Sequence, residues 1–61
     1  MEYVAMQLKY GRRKVYAICI GYKQSHQAIL IMQGDLGGFK YGDKVQLNLN
    51  TLDLELIERG E

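Results

Sequence analysis

Proline and tryptophan are absent from this 61-residue chain, and cysteine and histidine occur once each, as Cys19 and His26. A lone cysteine excludes an internal disulfide, and one Cys with one His falls short of a zinc site unless carboxylates or a second chain contribute. No apolar run exceeds a few residues, so no segment can span a bilayer as a helix, and no membrane partner is expected. Met1-Glu2 leads into neither a basic region nor a long apolar core, so no signal peptide is expected. The setting that fits is soluble, cytoplasmic and reducing. Repeats, linkers and low-complexity tracts are also missing, which leaves one small domain over residues 1–61. A chain this short buries only about 60% of the surface it exposes when unfolded. With disulfide and metal excluded, association with another chain is the remaining reinforcement, and a homodimer is the expectation.

Hydrophobic residues make up 48% of the chain, and their spacing has a period of two rather than 3.6. Val4, Met6 and Leu8 alternate with Tyr3, Ala5, Gln7 and Lys9. Gly11 then permits a tight reversal, so residues 2–22 read as a hairpin. In the second strand Tyr16, Ile18, Ile20 and Tyr22 line one face and Val15, Ala17, Cys19 and Gly21 the other. The third carries Ala28, Leu30 and Met32 opposite Ile29 and Ile31. Strands apolar on both faces are covered on both sides. This chain has little left to cover them with, which again points to a partner chain. Gly34 to Gly42 is a glycine-punctuated connection with Asp35 and Asp43 beside two of its glycines, and it opens into Val45, Leu47 and Leu49. The apolar parity then moves to Leu52, Leu54 and Leu56, which marks a turn or bulge near Asn50-Thr51. A cap at Asn50 or Thr51 would allow a helix over the last segment, but strict leucine alternation favours a strand. The fold class expected is all-β, a small five-stranded barrel with strands near 2–9, 14–22, 27–33, 44–49 and 52–58.

Most chemical motifs fail on inspection. Gly37 to Lys44 imitates a phosphate loop, yet Asp43 stands where that loop needs its lysine. Gly34-Asp-Leu-Gly37 matches a GXXG clamp in form, but the clamp joins helices and the flanks here are strands. Both read as turn chemistry. Ser25-His26 lies in a polar loop without a nearby carboxylate and reads as a solvated histidine rather than part of a triad. Cys19, Met6 and Met32 read as packing. Neither a catalytic set nor a cofactor is expected.

Charge is more informative. Residues 1–30 carry a net +4 and residues 31–61 a net −3, within an overall +1. Lys9, Arg12, Arg13 and Lys14 surround the first turn, with Tyr16 close behind and Lys23 further along. Cations at a hairpin tip can reach phosphates, and a neighbouring tyrosine can stack on a base or sugar. The same cluster can instead be a charged turn that keeps a sheet edge soluble.

Four stretches together resemble the SymE-like branch of the AbrB/MazE superfamily. They are Ile18-Cys-Ile-Gly-Tyr22, Gln27-Ala-Ile-Leu-Ile-Met-Gln-Gly34, Leu36-Gly-Gly-Phe39-Lys-Tyr-Gly42-Asp-Lys-Val45-Gln-Leu-Asn-Leu49 and Leu54-Glu-Leu-Ile57. They match its Gly-Tyr strand end, its Ile-x-Leu strand closing on glycine, its Gly-Phe-x-x-Gly-x-x-Val turn and its short final strand. Asp35-Leu36-Gly37 stands where that family carries Trp-Leu and a short helix, and Gln27 stands where it carries proline. The resemblance implies a swapped-hairpin dimer whose members bind DNA or act in toxin–antitoxin pairs, with no catalytic residue carried over. Two readings follow from residues and resemblance together. One is a dimeric nucleic-acid-binding protein, for DNA before RNA, using Lys9, Arg12, Arg13, Lys14, Tyr16 and Lys23. The other is a small protein-binding module or inhibitor presenting a sheet edge or an aromatic patch.

Overall fold

A computed structural model describes residues 3–60. Five strands form, β1 (Val4–Tyr10), β2 (Arg13–Gln24), β3 (Gln27–Met32), β4 (Lys44–Asn48) and β5 (Leu54–Glu58), with no helix among the described residues. They make one sheet in chain order, each strand antiparallel to its neighbours. The all-β expectation holds strand by strand, and residue 2 of the first expected strand lies outside the described residues. The ambiguous last segment is a strand, beginning at Leu54. Its parity shift comes from a turn in which the Asn48 carboxamide oxygen accepts from the Asn50 and Thr51 amides and Leu52 takes a φ of 66°.

The core lies on one face of this sheet. Leu8 of β1 meets Val15, Ala17 and Cys19 of β2, then Ala28, Leu30 and Met32 of β3, then Val45 and Leu47 of β4, all buried. Leu30, Met32 and Val45 are the largest fully buried side chains, so the centre of the core sits on β3 and β4. Side chains of this size contribute about 1.5–3 kcal/mol each when fully buried. Leu36, from the long connection between β3 and β4, folds under the same face, and Phe39 packs beside it. The two are joined by an isolated bridge around Gly37-Gly38.

The other face is left uncovered by the described residues. Register places Ala5, Ile18, Ile31, Lys44 and Glu58 in one cross-strand row on it. Tyr16 is 59% exposed, Ile20 is exposed, and Ile18, Ile29 and Ile31 are half-buried. Within one chain, then, β2 and β3 are apolar on both faces but buried on only one.

The expected closed barrel is not formed. The strand order ends at β1 on one side and β5 on the other, with no ladder joining them among the described residues. The physical reason is what stands between the two edges. The Tyr10 side chain crosses the gap and donates its hydroxyl to the Leu52 carbonyl, and Leu36, Phe39 and Leu54 line a cavity of about 310 Å³ beneath it. A side-chain contact, not backbone pairing, spans the opening.

Asp43 fastens the end of the chain. It is buried, and its carboxylate accepts from the Lys40 amide at 2.9 Å, the Gly60 amide at 2.9 Å and Arg59 Nη1 at 2.8 Å. The Lys40 amide is the main cause holding its carboxyl below the usual range. Burial opposes that shift, while the Gly60 amide and the Arg59 guanidinium add to it. A Cβ on Gly60 would lie 2.2 Å from the Gly42 carbonyl carbon, so only glycine permits this approach.

Candidate nucleic-acid interface

The basic cluster sits on the β1–β2 hairpin. Tyr10 opposes Arg13 in the ladder, so the turn is Gly11-Arg12. Gly11 has a φ of 61° while Arg12 does not enter the positive region, the arrangement of a two-residue turn with glycine first. Because Leu8 and Val15 oppose each other and point into the core, alternation sends the next pair, Lys9 and Lys14, to the uncovered face. Directly opposed residues hold their Cβ atoms about 4.5–5.5 Å apart. Two ammonium stems are therefore aligned side by side.

Tyr10 and Arg13, one step further, return to the core side, and both are anchored there. Arg13 Nη2 donates to the Asp35 carbonyl at 3.1 Å, and the Tyr10 hydroxyl donates to that of Leu52. Burial, and then the Asp53 carboxylate, push the Tyr10 phenol above its ordinary pKa. These two bonds fix the hairpin end without using Lys9, Lys14 or Arg12. Among the described residues the ion pairs are Lys44–Glu58 and Arg59–Asp43, both remote from the turn in sequence. Among the described residues, no carboxylate pairs with Lys9 or Lys14.

Tyr16 stands two residues beyond Lys14 on the same face, opposite Gln7, and is exposed. Lys9, Arg12, Lys14 and Tyr16 are thus brought together, with Arg13 anchored at the margin. Lys23 is not brought to them. It falls at the irregular register between Tyr22 and Gln24, near the opposite end of a 12-residue strand. Nine residues of strand separate it from Lys14.

Gln7 and the apolar strip of Ala5 and Ile18 belong to this surface and were not singled out by sequence. The signal for them was present: a two-residue turn at Gly11-Arg12 fixes Lys9 opposite Lys14, and counting back in twos gives Gln7 with Tyr16 and Ala5 with Ile18. His26 sits half-buried in the β2–β3 turn, its carbonyl accepting from the Leu49 amide at 2.7 Å. No three His, Cys, Asp or Glu side chains gather into a metal-binding group among the described residues. Among the described residues, no helix is long and apolar enough to cross a membrane.

No family model, curated protein or solved structure matches the chain.

Proposed function

We propose that this protein binds nucleic acid, DNA before RNA, contacting phosphates through the β1–β2 hairpin in the manner of a small regulator or toxin–antitoxin component. The observation that carries the reading is the opposed Lys9–Lys14 pair, flanked by Arg12 and without a carboxylate partner among the described residues. Like charges directly opposed across two strands destabilise a sheet by roughly 0.2–1 kcal/mol. A polyanion turns that cost into attraction and releases its own counterions on contact. The motif resemblance to the SymE-like branch supports the same class, and it is the reason for placing DNA first. Changing Lys9, Arg12 and Lys14 together to glutamine should leave the fold intact and weaken binding to DNA substantially. A fold-preserving triple variant that binds like the parent would refute the reading.

The proposal includes self-association, as a swapped-hairpin or other dimer. Its support is the exposed Leu56 and Ile57 on the free edge strand β5, away from the hairpin, surface that a second copy would cover. Sedimentation equilibrium at micromolar concentration should return twice the chain mass, whereas a stable monomer would contradict association.

A second reading rests on β1. Its outer edge is unpaired over seven residues, carries no proline and exposes Val4 at 62%. An extended segment of another protein could add to that edge as a further strand. Salt separates the two, because phosphate contacts weaken steeply with ionic strength and strand addition does not.

A further inference from the structure

The hairpin contacts explain attraction to phosphate but not what the surface beside them is for. That surface is continuous with the lysine pair. On the outer face of β1 and β2, Lys9–Lys14 is followed by Gln7–Tyr16 and then by Ala5–Ile18, each a directly opposed pair. Tyr16 is 59% exposed, mid-strand on an open face where its neighbour Ile18 is half-buried. Its ring therefore has a free surface within one pair of two cations, and an apolar floor on its other side.

Resting on the hairpin reading above, we infer that the ligand is single-stranded DNA laid along this face, with a base stacked on Tyr16 and the adjoining phosphates on Lys9, Lys14 and Arg12. Duplex DNA keeps its bases stacked on one another, so it can offer the lysines its phosphates but has no free base face for Tyr16. A single strand offers both at once, and base–aromatic stacking tolerates any sequence because every base has a π-face. The charge match selects the polyanion. The floor of Ala5 and Ile18 then selects the sugar: a ribose 2′-hydroxyl lying there would lose water and gain no partner, while deoxyribose carries none to lose. Gln7, opposite Tyr16, is the polar group placed to reach the edge of the stacked base.

The test is fluorescence anisotropy with a labelled single-stranded DNA of roughly 12 nucleotides, within the usual site sizes, alongside the same sequence as duplex and as single-stranded RNA. Parent, Tyr16→Ala and Tyr16→Phe proteins are compared, with thermal melts to confirm folding. The expected results are tighter binding of the DNA single strand than of duplex or RNA, and a loss of about 5- to 100-fold for Tyr16→Ala with an unchanged salt slope. Tyr16→Phe should bind like the parent, since it keeps the ring. Equal or tighter binding of duplex, equal or tighter binding of RNA, or a Tyr16→Ala protein that binds like the parent would overturn the inference while leaving the hairpin reading in place. Absence of binding to every nucleic acid at low salt would overturn both.

Discussion

Reversing one charge of the opposed lysine pair, by Lys9→Glu, is expected to stabilise the free protein and at the same time to weaken DNA binding strongly. In the parent, Lys9 faces Lys14 across the ladder. The substitution removes a like-charge pair and installs an opposite-charge one at the same spacing, which should add about 0.5–1 kcal/mol at low salt. For a domain of this size that raises the Tm by a few degrees, roughly 4–8 °C per kcal/mol. Binding should move the other way. The variant loses one phosphate contact, repels the backbone with the new carboxylate and diverts Lys14 into an internal pair, so affinity should fall by about two orders of magnitude at low salt. Melting curves and anisotropy titrations in one buffer measure both. A turn that serves only to keep the sheet edge soluble gives no fall in binding.

Asp43 should prove the most sensitive polar position in the fold. Its carboxylate gathers the Lys40 and Gly60 amides and the Arg59 guanidinium at a buried point. Asp43→Asn keeps the shape but removes the charge and turns a donor toward groups that are themselves donors, leaving buried N–H groups unpaired. The Tm should fall by roughly 10 °C or more. The pH dependence has a definite sign. The folded-state pKa lies below the ordinary value of 3.8, so the stabilisation is fully present above that value and is lost as pH falls through the lower folded-state value. Denaturant midpoints taken from about pH 6 down to pH 2 should therefore drop steeply below about pH 4 for the parent and less steeply for Asp43→Asn. Parallel acid limbs for the two proteins would mean that other carboxylates carry the effect.

The strands were legible because each depends on local alternation. Leu54 and Leu56 alternate as strand residues do, and the turn at Asn48 to Asp53 supplies the one-residue shift seen in the pattern. The hairpin surface was half legible: charge clustering gave Lys9, Arg12, Arg13 and Lys14, and the ladder then set Lys9 opposite Lys14 and turned Arg13 to the core side. Lys23 looked equivalent in composition, but strand length carries it away. Closure of the sheet was not legible, since whether β1 meets β5 depends on the Tyr10 side chain reaching Leu52 across 42 residues. The same holds for Asp43, which local sequence presents only as turn chemistry; its partners Arg59 and Gly60 lie 16 and 17 residues away. Apolar residues on both faces of β2 and β3 signalled surface to be covered, though not by what.

The central claim is that the hairpin cations contact phosphate, and the salt dependence of binding tests it most directly. Affinity of the parent and of the Lys9, Arg12 and Lys14 to glutamine variant for one DNA oligonucleotide would be measured across a range of salt concentrations. Log affinity against log salt should be linear for both, with the variant shallower by up to about three units, close to one for each lost contact. Parallel lines for the two proteins, or no binding by the parent at low salt, would contradict the account.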